Sequence, residues 1–353
     1  MQLKRISINT ASPELPTSKV LIIYTGGTFG MVKDKAGSLV PFNFSLILEH
    51  LPTLRSLSLE LTVISFAEPI DSSNIKPEHW VIIGKIIVDH YDAQDGFVVL
   101  HGTDTMAFTA SALSFMLPGL NKPVIFTGAQ LPIAEPRSDA RENLITALEI
   151  ASAKVNGQAV VPEVCIYFGA ELLRGCRSKK AESQHFDAFQ SENYPKLAEA
   201  GVIIDYNYKV IRQAGTSQLN LLQKLDTNVA ILKLYPGISR TVVEQVLTTQ
   251  NLKGLVLETF GSGNAPTDSW LLTALKVIID KGVVVINISQ CPGGMVEQGK
   301  YETSKSLKEI GVISGRDMTT EAAITKLMVA LGEFKREEAT GFMARSVVGE
   351  LSD

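Results

Sequence analysis

The sequence predicts a two-domain α/β protein, with a mostly parallel sheet flanked by helices in the N-terminal domain and a smaller C-terminal α/β domain. A length of 353 residues exceeds the size at which one hydrophobic core usually stops growing, which favours two domains. Short apolar runs alternate with amphipathic segments of helical length, which is typical of βα units in a parallel sheet. This alternation weakens after Asp187 and begins again at Val229, so it forms two series.

Four apolar runs of the first series have the length and composition of buried parallel strands. They are residues 20–24, 97–100, 124–126 and 164–168. Helices are predicted between them at residues 77–91, 104–116 and 137–153. Pro77 at a first helical turn, and Ser138 with Asp139 near the start of another, are ordinary signals of a helix N-terminus.

The second series is shorter and predicts the smaller domain. Its strands are residues 229–232, 254–257 and 283–288, and its helices are residues 241–248 and 270–280. We therefore predict an N-terminal catalytic domain at 1–200, a connecting segment at 201–225 and a C-terminal domain at 226–353. Within the connecting segment, residues 201–208 also have the pattern of a strand.

Composition and charge disfavour several classes of protein. The net charge of -4 and the scattered lysines and arginines lack the basic footprint of a nucleic-acid-binding protein. No apolar stretch approaches the ~18 residues of a membrane span, and residues 1–19 lack the apolar region of a signal peptide. Cys165, Cys176 and Cys291 are far apart, which fits a reducing, cytoplasmic location and provides no zinc spacing.

The first polar segment that follows a predicted strand is TGGT at residues 25–28. Its two glycines allow a sharp turn and a close approach of a ligand, and they leave Thr28 at the carboxyl end of the strand. Ligands bind at that end of open α/β sheets. A purely structural βα turn explains the same residues, and no phosphate-binding glycine motif follows them.

The second polar segment is HGTDTM at residues 101–106, directly after another predicted strand. Its short hydroxyl and carboxylate groups are suited to chemistry, although Thr103 or Asp104 also fits the N-cap of the following helix. His101 could suggest a Ser-His-Asp arrangement. Because no GxSxG motif is present, we interpret it as a hydrogen-bonded structural histidine.

Together, residues 24–30 (YTGGTFG) and 101–106 resemble the two signature motifs of bacterial-type L-asparaginases. Further similar segments extend the resemblance over almost the whole chain; they are residues 126–132, 137–139, 235–237 and 263–266. The cytoplasmic, type I branch is the most similar. The resemblance implies an asparaginase-like fold and hydrolysis of L-asparagine to L-aspartate and ammonia through an acyl-enzyme, with neither a cofactor nor a metal.

The resemblance also implies a set of catalytic residues. Thr28 matches the threonine nucleophile of the first motif, and Thr103 and Asp104 match the threonine-aspartate pair of the second. The lysine that completes the second group matches Lys180, while the adjacent Lys179 is the alternative by one position of alignment.

Substrate contacts in the family come from segments that match Asp71, Ser72, Ser73 and Ala129. The alternative for the first three is an ordinary Asx or Ser turn. The family also implies a homodimer or a dimer-of-dimers tetramer, in which Asn264 of the partner subunit contributes to the site.

One segment departs from many members of the family. They carry a tyrosine shortly after the first motif, whereas residues 33–41 contain none. Some type I members resemble this chain there, and for them a tyrosine that matches Tyr301 is a candidate to assist the nucleophile. The alternative for Tyr301 is a half-packed surface tyrosine.

Three other functions remain open from the sequence. A dinucleotide-dependent oxidoreductase would need a third glycine in the first turn, which is absent. A non-catalytic amino-acid-binding protein would not need Thr28, Thr103, Asp104 and a lysine together. An asparaginase-like subunit of a tRNA-dependent amidotransferase shares the motifs, but it usually has an additional domain before the first strand.

Overall fold

The computed structural model describes residues 2–33, 39–41, 51–299 and 302–352. They form two compact units that divide between Leu221 and Leu222. Tyr301 lies outside the described residues, so its predicted role stays a prediction. No described helix is long and apolar enough to cross a membrane.

Within the described part of the first unit, the centre is a nine-stranded sheet. In spatial order its strands are β1 (Leu3–Asn9), β5 (Leu59–Phe66), β2 (Ser18–Tyr24), β6 (Gly96–Leu100), β7 (Val124–Thr127), β10 (Val164–Phe168), β11 (Glu171–Arg174), β14 (Ala198–Ala200) and β15 (Ile204–Tyr206). The run from β5 to β10 is parallel, whereas β1 and the strands from β11 onward pair antiparallel. Two-stranded pairs are β3 (Met31–Lys33) with β4 (Leu39–Pro41), β8 (Lys154–Val155) with β9 (Gln158–Ala159), and β12 (Lys179–Lys180) with β13 (Phe189–Gln190).

Helices cover this sheet because they carry apolar residues toward it. They are α1 (Pro77–His90), α2 (Met106–Met116) and α3 (Ala140–Ser152), with short 3-10 turns at 28–30, 52–57, 72–74, 103–105 and 175–177. Every residue of β6 and β10 is buried, as expected for strands covered on both faces. On α2, the small residues Ala107, Ala110, Ser111 and Ala112 are all buried, so this helix packs closely.

The second unit is a smaller parallel α/β structure. Its described strands form one sheet in the order β16 (Val229–Lys233), β17 (Gly254–Thr259), β18 (Val284–Ser289) and β19 (Ile313–Ser314). Its helices are α4 (Arg240–Leu247), α5 (Ser269–Asp280), α6 (Glu302–Glu309), α7 (Thr320–Glu333) and α8 (Arg336–Ala344). Leucines and valines of the strands and of α4 and α5 form its apolar core.

The predicted fold class is confirmed, including the smaller C-terminal domain. Elements that no pattern in the sequence predicted are β1, whose residues are mostly exposed, the antiparallel strand β11 and the last two helices. Of the predicted connecting segment at 201–225, residues 201–221 belong to the first unit. The reason is that β15 extends the first sheet, with Tyr206 paired to Ala198 of β14.

Candidate active site

Three neighbouring strands of the first sheet end at the same level. Tyr24, the last residue of β2, is in register with Leu100 of β6, and Leu100 is in register with Thr127 of β7. Main-chain bonds continue past the ends, because Thr25 N and Oγ1 each donate to Leu100 O at 3.0 Å and His101 N donates to Thr127 O at 3.0 Å. The segments that begin at residues 25, 101 and 128 therefore lie side by side.

The first of these segments depends on its two glycines. Gly27 has a φ of +87°, and a Cβ on it would lie 2.6 Å from both N and Cα of Gly102. Gly26 has a φ of +136°, and a Cβ there would lie 2.3 Å from Ile70 O. Only glycine tolerates these angles without strain and these approaches without a clash. The glycines thus bring the segment of Thr28 against the segment of residues 101–104.

Thr28 is exposed at the first position of the 3-10 turn 28–30. The next residue, Phe29, is fully buried in the main core of the first unit, and its carbonyl accepts a bond of 3.4 Å from Ile133 N. The buried ring anchors the turn while the threonine hydroxyl remains accessible.

Lys180 joins the two polar residues of the second segment. Its Nζ donates to Thr103 Oγ1 at 2.8 Å and to Asp104 Oδ1 at 2.6 Å. The Lys180 side chain is only 18% exposed, whereas that of Asp104 is 64% exposed. Lys179, the alternative by one position, is exposed at the neighbouring position of the same short strand. Successive strand residues point to opposite faces, so only one of the two lysines reaches Thr103.

The loop at residues 71–73 is tied to the same place. The Asp71 carboxylate accepts from Ser73 N at 3.0 Å and from Ser73 Oγ at 2.9 Å, and these bonds lower the pKa of Asp71, the backbone bond most. Ser72 is buried, and its carbonyl accepts a bond of 2.7 Å from Thr105 Oγ1. A Cβ on Gly102 would lie 2.6 Å from Ser72 Oγ. The loop therefore contacts the second segment directly and presents an anionic carboxylate beside it.

The third segment, residues 128–131, is held by a carboxylate that sequence reasoning assigned differently. Asp139 was interpreted as a helix N-terminal signal, but its side chain caps no helix N–H. Instead it accepts from the backbone N–H groups of Gln130 and Leu131 at 3.0–3.1 Å. Asn143 Nδ2, one turn along α3, donates to Asp139 Oδ2 at 3.2 Å and to Gly128 O at 3.0 Å. These bonds fix the backbone on both sides of the buried Ala129.

Three residues that hold this edge were not predicted from the sequence: Gln130, Asp139 and Asn143. Asp139 and Asn143 are four residues apart on one helix face, which is the signal that could have indicated a joint role. No local pattern indicated that Gln130 would reach Thr103, whose hydroxyl lies 3.5 Å from Gln130 Oε1. That contact joins different loops of the chain.

His101 is the structural histidine that the sequence predicts. Its Nδ1 lies 2.7 Å from Gly102 O and its Nε2 lies 3.0 Å from Thr109 Oγ1, which also accepts a bond from Trp80 Nε1. The Gly102 carbonyl can only accept, so Nδ1 carries the ring proton, and Nε2 of a neutral His101 accepts from the Thr109 hydroxyl. Complete burial lowers the pKa of His101 to about 4, so the ring stays uncharged near neutral pH.

Asn264 lies in the second unit, in a turn closed by reciprocal main-chain bonds of 2.8 and 2.9 Å with Phe260.

The first unit brings Thr28, Thr103, Asp104 and Lys180 to the edge that also carries Ala129 and residues 71–73. The described residues contain no group of three or more His, Cys, Asp or Glu side chains placed to hold a metal ion.

Comparisons with known proteins match both units. The family description "Asparaginase, N-terminal" matches residues 19–212, and "Glutaminase/Asparaginase C-terminal domain" matches residues 228–341. L-asparaginase 1 of Escherichia coli strain K12 is 41% identical over 336 residues, which cover 94% of this chain and 98% of that protein. A human protein named 60 kDa lysophospholipase is also 41% identical, over 90% of this chain and 58% of its own length.

A solved structure agrees with these sequence relatives. The crystal structure of L-asparaginase I from Vibrio cholerae superimposes with a TM-score of 0.86 at 39% sequence identity. The superposition covers 95% of this chain and 99% of that chain. Both the fold and the order of its two units are therefore shared with these proteins.

Proposed function

This chain belongs to the asparaginase family, and we propose that it hydrolyses the side-chain amide of L-asparagine to give L-aspartate and ammonia. The observation that carries the proposal is the contact of Lys180 Nζ with Thr103 and Asp104 at the sheet edge that also presents Thr28. Thr28 is the nucleophile, and Thr103, Asp104 and Lys180 assist it.

The chemistry requires activation of an alcohol. A threonine hydroxyl is a weak nucleophile near neutral pH, so Thr28 loses its proton as its oxygen attacks the amide carbon. Lys180 and Asp104 orient the Thr103 hydroxyl and a water, which relay that proton to the leaving nitrogen. The C–N bond breaks, ammonia leaves and an ester to Thr28 remains. Water then attacks the ester, releases aspartate and restores the hydroxyl.

The developing oxyanion needs donors that are already in place. Backbone N–H groups near Ala129 and Thr103 fill this role in our proposal. The bonds that Asp139 accepts and Asn143 donates support it, because they hold the backbone around Ala129 before the substrate arrives. No cofactor takes part in these steps.

Recognition of the α-amino and α-carboxylate groups falls to the remaining polar residues of the edge. The lowered pKa of Asp71 keeps this carboxylate anionic, which suits the substrate ammonium together with the largely exposed Asp104. Ser72, Ser73 and Ala129 complete the contacts on this side. Asn264 of the partner subunit contributes from a homodimer or a dimer-of-dimers tetramer, and we expect the protein to be cytoplasmic.

The test is ammonia release from L-asparagine, D-asparagine and L-glutamine by the wild type and by Thr28→Ala. A lysophospholipid is assayed for release of fatty acid, because the human relative is named a lysophospholipase. We expect Thr28→Ala to lower turnover of L-asparagine at least about 1000-fold, since a nucleophile contributes more than one oxyanion donor.

The matched control is Thr340→Ala, which removes an exposed threonine hydroxyl that bonds within α8 to Arg336 O. This control should keep wild-type activity, and both variants should unfold at the wild-type temperature. A folded wild type that is silent on L-asparagine refutes the proposed activity. Ammonia release by Thr28→Ala at the wild-type rate refutes only the assignment of Thr28 as the nucleophile.

A further inference from the structure

The Gln130 side chain lies between Thr103 and the hairpin that carries Lys180. Its Nε2 donates to His185 O at 3.0 Å, and its Oε1 is the acceptor 3.5 Å from Thr103 Oγ1. Thr103 accepts from Lys180 Nζ and so has its own proton free to point at the glutamine. One amide thus contacts both the hydroxyl that Lys180 binds and the loop that holds Lys180.

The hairpin of Lys180 needs such support. Its strands β12 and β13 have two residues each, and the loop between them, residues 181–188, is exposed from 181 to 187. Ala181 N and Glu182 N close its base by donating to Ala188 O. A hairpin of this size is marginal by itself in water. Its position therefore depends on contacts with the rest of the unit.

Besides the bonds of Lys180 itself, the described contacts include two that hold the hairpin at different places. On the returning strand, Phe189 is buried and its ring lies 5.2 Å from that of Phe168. Near the middle of the loop, the bond from Gln130 Nε2 to His185 O ties the backbone between the two strands. The phenylalanine contact fixes β13, while Gln130 limits how far the loop after Lys180 can move.

Gln130 can act as a fixed point because its own backbone is held. The Asp139 carboxylate accepts from Gln130 N with both oxygens and from Leu131 N with one. Asn143 ties that carboxylate to Gly128 O. The amide of Gln130 therefore extends from a segment held by hydrogen bonds toward an exposed loop.

We propose that Gln130 is a positioning residue, which places Lys180 against Thr103 and Asp104 by tethering its hairpin at His185. The inference rests on the proposed function for its kinetic consequence, whereas the tether itself is a property of the fold. Misplacing a catalytic group by ~1 Å can cost on the order of 100-fold in rate. Loss of the tether should therefore appear in kcat and not in substrate affinity.

The experiment compares Gln130→Met with Gln190→Met. Methionine nearly preserves the size of glutamine but removes both amide bonds. Gln190 is an exposed glutamine on β13 of the same hairpin and tests whether any such change there matters. For Gln130→Met we expect kcat on L-asparagine to fall about 10- to 100-fold, with KM within about twofold of wild type. Gln190→Met should match the wild type in both.

Hydrogen exchange gives a second, independent readout. In Gln130→Met the amides of Ala181 and Glu182 should exchange about three to ten times faster than in the wild type, which corresponds to one lost hydrogen bond. The melting temperature should stay within about 2 °C. This pattern separates local release of the hairpin from general loss of stability.

Wild-type kcat in Gln130→Met overturns the proposal, and so does a loss of activity without faster exchange at residues 181–188. A raised KM with unchanged kcat overturns it as well, since that result assigns Gln130 to substrate binding. If the wild type itself proves inactive on L-asparagine, the proposed function fails. The exchange comparison then still decides whether Gln130 tethers the hairpin.

Discussion

Replacing Lys180 with methionine separates its proposed catalytic role from its structural one. The change keeps an unbranched side chain one atom shorter but removes the ammonium that donates to Thr103 Oγ1 at 2.8 Å and to Asp104 Oδ1 at 2.6 Å. Both partners retain their own geometry, because Thr103 and Asp104 lie on the 3-10 turn that leads into α2. The variant thus removes one group from an otherwise intact edge.

The expected loss of activity is large. Removing a single preorganised donor at a reacting centre costs on the order of 100- to 1000-fold in kcat, or about 2.7 to 4 kcal/mol. Lys180 makes two such bonds and brings the positive charge beside Thr103. We therefore expect Lys180→Met to lose at least about 100-fold in kcat on L-asparagine.

The expected loss of stability is small. The Asp104 side chain is 64% exposed, so the ion pair is largely screened by water, and such pairs contribute about 0 to 1 kcal/mol. In a unit of this size, 1 kcal/mol shifts the melting temperature by about 2 to 4 °C. A large fall in kcat with a small change in melting temperature is therefore the diagnostic result.

The assay measures ammonia release under saturating L-asparagine, together with thermal unfolding of each variant. Lys179→Met is the matched control, because Lys179 is the exposed neighbour on the same strand and was the alternative by sequence. It should retain wild-type kcat. If Lys179→Met is the inactive variant and Lys180→Met remains active, the assignment of the catalytic lysine is wrong.

Two further predictions concern buried charges and pH. The side chains of Lys326 and Glu350 are both 0% exposed, and Lys326 Nζ lies 2.5 Å from Glu350 Oε1. Lys326→Met should therefore lower the free energy of unfolding by about 3 to 5 kcal/mol in urea titrations. The control Lys276→Met breaks an exposed ion pair with Asp280 and should cost less than about 1 kcal/mol, and equal losses in the two variants would contradict the prediction. Because the pKa of His101 is lowered to about 4, the unfolded state binds more protons between about pH 4 and 6.5, and stability falls as pH falls through that range. His101→Gln should make the pH slope of unfolding shallower by up to ~1.4 kcal/mol per pH unit, and an unchanged slope would count against the buried neutral ring.

Local signals in the sequence explain why the main elements were predictable. Runs such as 97–100 and 164–168 are apolar throughout, and β6 and β10 are buried at every position, so composition alone identifies them. The edge strand β1 carries a mostly exposed, mixed pattern, which composition does not distinguish from a loop. β15 lies within residues 201–208, which have the pattern of a strand, but that pattern does not indicate that the strand joins the first sheet.

The residues of the candidate site were predictable from local sequence only where a motif follows the end of a strand. Thr28, Thr103 and Asp104 follow apolar runs directly, so sequence order places them at the carboxyl edge of the sheet. Lys180 is on a two-residue strand far along the chain, and only the resemblance to the family indicated it. The contacts of Gln130 and Asp139 were not predicted, because their hydrogen-bond partners are brought together by tertiary folding and not by a fixed spacing in the sequence.

The sequence by itself determined the α/β class, the order of its units and the two threonine motifs, because apolar periodicity and glycine turns act over a few neighbouring residues. Only the tertiary structure decided that Lys180 and not Lys179 contacts Thr103, that Asp139 binds the backbone of Gln130, and that Gln130 reaches His185. The physical reason is that a hydrogen bond requires its two atoms within about 3 Å. Which atoms meet at that distance depends on strand register and loop packing between segments remote in the chain.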